Sequence, residues 1–337
     1  MKRHFFAAFA LLAAAAMPAA VSAQTAGPYK VLKVTRTMGT GRVDYVYADN
    51  DGRRLYIPRG ENLLVFSLDT LASVGTIPNT GGHGVVVDPK SHHGFSSSKQ
   101  ISMWDSRTLK PIKSIQVEGK PDGIYFERQT ERVYILRHEA PNITVIDGKT
   151  GNVVGTIDLQ GEPEQSASDG AGHLYVDLEN KDSVAVVDVK TLKVTGRYPL
   201  AGKGATPAGL GLDAKNHRLF VMCREPATCV VLDSTDGKVV TTLPIGAGTD
   251  GGAFNPTTME AFTSQRDGTL TVIKEKSPTD FAVEQTVQTR PGAKTCTLDT
   301  KNNRVVLITL EHKPGEPTPK RGGPVGPAML DIILVGR

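Results

Sequence analysis

One unit recurs along the chain at intervals of 39 to 45 residues, and a period of that length leaves few architectures open. Its clearest column is aromatic. RLYIP, HGFSS, RVYIL, HLYVD, RLFVM, EAFTS and RVVLI place Tyr56, Phe95, Tyr134, Tyr175, Phe220, Phe262 and Val306 at equivalent positions. Two residues before each stands Arg54, His93, Arg132, His173, Arg218, Glu260 or Arg304. A second column puts Thr70, Thr108, Thr150, Thr191 and Asp236 in one turn, where Asp, Thr and Gly satisfy and permit a tight reversal between strands. Each unit therefore reads as four short strands, a to d, and the column occurs seven times. A lone four-stranded sheet cannot cover both of its faces, whereas seven arranged radially bury each face against the next. The expected fold is all-β, a seven-bladed β-propeller.

The last unit, from Pro291, has strands a, b and c and then the chain ends. The missing strand d is expected from the other end of the chain: 29–37, YKVLKVTRT, resembles the d-strand sequence GNVVGTIDL and should close the ring, removing an open sheet edge. Between strands b and c of this unit lies an insertion, 311–327, where the other units use only a few residues. Its prolines stiffen it and its glycines hinge it. It is expected to fold across the funnel as a partial lid carrying His312 and Arg321.

The unit VYILRHEAPNITVIDGKTGNVVGTIDLQGEP resembles the YVTN-type repeat of YncE-like exported propellers, and the resemblance runs over 29–337. It implies the architecture above. For function it implies only the breadth of a family that spans surface-layer proteins, periplasmic binders and a distantly similar haem-binding propeller, because a shared fold does not assign a chemistry.

The start of the chain reads as a secretory signal, 1–23. Lys2, Arg3 and His4 supply the positive end, Phe5 to Met17 is apolar, and Val21-Ser22-Ala23 offers small residues for cleavage. One domain, 24–337, should follow, periplasmic or secreted and monomeric. No segment has the roughly 20 apolar residues needed to span a bilayer. Setting aside Lys2 and Arg3 leaves 37 basic against 35 acidic residues, too balanced and too evenly interspersed for a nucleic-acid-binding stripe.

In a propeller the d-to-a connections and b-to-c loops emerge on one face, where a funnel forms. Arg59, Arg137, Arg224 and Arg266 occupy equivalent b-to-c loops and are expected to offer guanidinium forks to a small anionic ligand or an acidic partner. His83, His138 and His312, from different blades, map to the same face, as do Asp122 and Asp250 among many charges that include Asp44, Glu164, Glu179 and Lys294. His92, His93, His173 and His217 fall in turns on the opposite face. Histidines dispersed over blades are how a ring fold would assemble a metal or haem site, but no HxH, HExxH, CxxC or CxxCH spacing is present, so no cofactor is predicted and a metal or haem stays the alternative. No nucleophile motif is present either. Binding is the expected function; a metal-dependent lactonase-like hydrolase or lyase using the funnel, and a structural envelope protein, are the alternatives. Cys223 and Cys229 flank one b-to-c turn of an exported chain and are expected to form a disulfide, with Cys296 a buried thiol.

Overall fold

The computed structural model describes residues 27–311 and 325–337. The signal segment, His312, Arg321 and most of the 311–327 insertion lie outside the described residues. Among those described, the strands form seven four-stranded antiparallel sheets, and the only helical element is a single 3-10 turn at Glu179–Lys181. No helix among the described residues is long and apolar enough to cross a membrane.

Blade one shows the pattern. Strand a (Tyr47–Asp49) lines the axis, followed outwards by b (Arg54–Arg59), c (Asn62–Ser67) and d (Ser73–Ile77). Strand a closes on an acid or its amide, Asp49, Asp88, Glu127, Asp213, Asn255 or Asp299, whose side chain accepts a backbone N–H two or three residues on. That short side chain supplies the acceptor a tight reversal needs. The turn between c and d works likewise: Asp105, Asp147 and Asp188 each accept from the backbone and hydroxyl of Thr108, Thr150 and Thr191.

The core is seven apolar clusters, one at each interface between neighbouring blades. The aromatic column is buried in them, with Tyr56, Phe95, Tyr134 and Phe220 fully enclosed. Three arginines of the column tie their blade to the following one: Arg54 donates to the carbonyl of Arg107, Arg132 to that of Val189, and Arg218 to that of Pro278. His93 makes the same outward link to Gly148, while His173 turns to Asp169 at 2.7 Å.

The ring closes through the first strand. Lys30–Gly39 pairs antiparallel with Ala328–Gly336, so the last blade takes strands a to c from the end of the chain and strand d from its beginning. Around the seam Tyr29 exchanges two hydrogen bonds with Gln285 and donates to Glu260, which Arg337 also pairs.

The expected Cys223–Cys229 disulfide does not form, whereas Cys296 is a buried thiol as expected. Cys223, Cys229 and Cys296 are all free, buried thiols. Met222 stands opposite Cys229, and Cys223 opposite Thr228. The two cysteines are thus one position out of step and, since successive side chains alternate faces, point to opposite sides of the sheet. Cys223 packs between blades four and five and Cys229 between blades five and six.

Candidate functional site

The funnel mouth is built from one position of the repeat. Five residues before the acid or amide at the end of strand a, which in blade four is Asp169 just past the strand, stand Asp44, His83, Asp122, Glu164, Ala208, Asp250 and Lys294, one from each blade. Six are ionisable. The gap at Ala208 is covered by Arg224, from the end of strand b in the same blade, and His138 enters from the b-to-c loop of blade three.

These side chains close a ring in which acids and bases alternate. Lys294 Nζ lies 3.0 Å from Asp44, whose other oxygen lies 2.8 Å from His83 Nδ1. His83 is 3.4 Å from Asp122, and His138 Nε2 stands between Asp122 at 3.9 Å and Glu164 at 3.6 Å. Arg224 is 3.7 Å from Glu164 and bonds Glu179 and Asp250, and Asp250 returns to Lys294. Two groups of three have ligand atoms within 4.8 Å of one another, Asp44 with His83 and Asp122, and Asp122 with His138 and Glu164.

The neighbours set the protonation of the ring. Burial would raise the Asp44 carboxyl, but the His83 hydrogen bond and the Lys294 charge outweigh it and hold it down to about 2. Burial pushes Asp122 up to about 6, with the charges of Glu164 and Asp44 adding to the shift and His83 opposing it. Pairing with Glu164 raises His138 to about 8, and the bond to Asp44 raises His83. Five carboxylates, those of Asp44, Asp122, Glu164, Glu179 and Asp250, therefore face Arg224, Lys294, His83 and His138, with Arg266 at the edge, so each cation at the mouth already has a carboxylate beside it.

Beneath the ring the channel narrows. The residues directly after the ring position include Gly84, Gly123, Gly209 and Gly251; a Cβ on Gly209 would come within 2.8 Å of the Gly251 backbone, and one on Gly123 within 2.9 Å of the Glu164 carbonyl. Where glycines leave room, Tyr45 crosses from blade one to bond Glu164 at 3.0 Å, and Gln165 accepts from the amides of Leu210 and Gly252. A cavity of about 310 Å³ lies along these inner strands, with Tyr45, Glu164, Gln165, Tyr125 and Leu298 in its wall.

Of the residues expected from sequence at a binding face, the structure brings His83, Asp122, His138, Arg224 and Asp250 together, with Arg266 at the edge, its side chain 64% exposed and 3.9 Å from Asp250. The cradle of four arginines does not form. Arg59 is buried and donates to the carbonyls of Thr37, Gly39 and Ala328, stapling blade one to the closing seam. Arg137 is buried and holds the carbonyls of Pro141 and Glu118. Both guanidiniums are consumed by backbone carbonyls because a loop turned inward must satisfy its own polar groups. His312 and Arg321 lie outside the described residues.

Tyr45 and Gln165 escape sequence reasoning altogether. Asp44, Glu164 and Lys294 are visible there only as rim charges, although their fixed offset from the residue closing strand a marks all three.

A repeated four-stranded blade, seven interfaces and a polar funnel define the class: a seven-bladed β-propeller. Comparison with solved structures agrees at the level of the fold, with TM-scores of 0.71 to the structure of U3-55K, 11% identical over 91% of this chain and all of that one, and 0.68 to the RRP9 WD40 repeats, 10% identical over 88% of this chain and 97% of that one. Within that class its sequence is similar to the YncE proteins. It is 27% identical over 219 residues to protein YncE of Salmonella typhi, covering 56% of this chain and 61% of that one, and 28% identical over 148 residues to YncE of Escherichia coli O157:H7, covering 40% and 41%. It is also 27% identical over 175 residues to antigen Lp49 of Leptospira interrogans, covering 48% of this chain and 38% of that one. The chain thus matches less than two thirds of the length of these relatives. No protein-family model matches it.

Proposed function

We propose that this protein is an exported binding propeller that takes a small ligand at the funnel mouth, and that the end of the ligand meeting the ring is cationic. The observation that carries the reading is the pairing within the ring: carboxylates flank every cation at the mouth, and both Arg224 and Lys294 are already paired with two or more of them. An anion entering here would displace those pairs and meet uncompensated carboxylates, whereas a cation completes them. The 310 Å³ cavity beneath suits a small molecule. The secretory signal read from the sequence and the likeness to YncE support export.

Calorimetric titration of the tag-free mature protein tests this, with choline and putrescine as cations and citrate and phosphate as anions. The cations are expected to bind, and to bind about tenfold more weakly when Asp44→Asn and Glu179→Gln are combined. Tighter binding of citrate or phosphate than of either cation would sink the proposal.

A further inference from the structure

His138 Nε2 is a buried ring atom with no hydrogen-bond partner. It nevertheless lies between two carboxylate oxygens, Asp122 Oδ2 at 3.9 Å and Glu164 Oε2 at 3.6 Å. Both separations are too long for hydrogen bonds. They suit three ligands sharing a central atom, because donors held at about 2.0–2.2 Å in a tetrahedron stand about 3.4 Å from one another.

The surroundings already orient this set. Tyr45 donates to Glu164 Oε1 at 3.0 Å, leaving Oε2 for the site. The Asp122 amide donates to the Leu136 carbonyl, and Asn142 Nδ2 donates to the carbonyl of His138, so both ligand-bearing backbones are tied to the blade. Supports of this kind decide how well a metal is held. The neighbouring group of Asp44, His83 and Asp122 is less suitable, because His83 Nδ1 is already bonded to Asp44 at 2.8 Å and its side chain is half exposed.

We propose that Asp122, His138 and Glu164 bind one divalent first-row transition-metal ion, with zinc and cobalt as the fitting chemistry, and that its fourth position opens into the funnel. One imidazole nitrogen with two carboxylates suits such ions, whereas calcium wants six to eight oxygens and magnesium an octahedral shell kept largely as water. The site rests on the reading of the mouth as a cation-binding site and makes it specific: the metal is itself the cation the ring takes, and water completes its coordination.

The test uses tag-free mature protein, stripped with EDTA and dialysed, titrated with Co²⁺ by visible absorption and with Zn²⁺ by calorimetry. One ion per chain is expected, with zinc displacing cobalt. His138→Gln and Glu164→Gln should each weaken binding about fiftyfold, while His173→Gln, on the opposite face beside Asp169, leaves it unchanged. In the wild-type protein, the His138 imidazole ¹⁵N resonances should shift in step with one equivalent of zinc, a reading that does not depend on how the variants fold. Absence of saturable one-to-one binding, unchanged affinity in His138→Gln, or zinc shifts confined to other histidines would overturn the site. If choline or putrescine binds as expected while zinc does not, the metal assignment falls alone; if none of them binds, the reading of the mouth falls with it.

Discussion

Glu275 shows how the fold uses one residue at a cost. It is buried against Asp213, and its Oε1 accepts from Asn216, which also bonds Asp213. Burial pushes its carboxyl up to about 7, and the Asp213 charge adds to the shift. A carboxyl raised in the fold contributes fully below its unfolded pKa and costs stability as pH rises through the folded value. Glu275→Gln should therefore match the parent near pH 4.5 and exceed it by roughly 1–3 kcal/mol at pH 8. Urea unfolding at the two pH values checks this; equal stability at pH 8 would show that the carboxyl ionises freely. Among the residues of the mouth, the same logic of neighbours decided which charges remain available. Arg59 and Arg224 occupy equivalent loops, yet backbone carbonyls surround one and carboxylates the other. No feature of the sequence around either arginine separates those outcomes.

At the scale of the element, the inner strands are packed to the limit of the backbone. Gly209 faces Gly251 and Gly252 of the next blade, and a Cβ there would stand 2.8 Å from the Gly251 carbonyl carbon and 3.0 Å from the Gly252 nitrogen. Backbone on both sides cannot swing away as a side chain can. Gly209→Ala should cost about 1–3 kcal/mol or more by overpacking, whereas Gly202, left-handed but with open space around its Cβ position, should respond only to its own backbone strain when changed to Ala. Comparison of denaturation midpoints checks the first expectation, and an unchanged midpoint for Gly209→Ala would refute it. The strands themselves were legible in the repeat: the closing strand, expected at 29–37, is Lys30–Gly39. The disulfide was misread at this same scale. Two cysteines flanking a hairpin turn are close in sequence, but a register one residue out of step sends them into different blade interfaces.

At the scale of the whole molecule, stability depends on closing a circle. Removing Lys30–Gly39 would strip a blade of its outer strand, bare the edge of Ala328–Gly336 and leave Asp331 without Arg36. The loss should be about 4 kcal/mol or more, a large share of the roughly 5–15 kcal/mol that holds a domain, with aggregation through the open edge. Thermal unfolding with light scattering checks this; a variant that melts and stays monomeric like the parent would mean the ring is held closed without that strand.

The ring also explains what each level of description can decide. The chain's own order of residues determined the number of blades, the alternation of core and surface and the identity of the closing strand, because these follow from short-range periodicity and from one unpaired repeat. It even marks the rim, since Asp44, His83, Asp122, Glu164, Asp250 and Lys294 keep one offset from the residue that ends strand a. Only the tertiary structure decided the sign of the mouth. Residues some 40 positions apart in the chain, and Asp44 with Lys294 from its two ends, become neighbours at about 3 Å around the axis, and the charge of a site is a sum over such neighbours, each depending on which partner the adjoining blade presents.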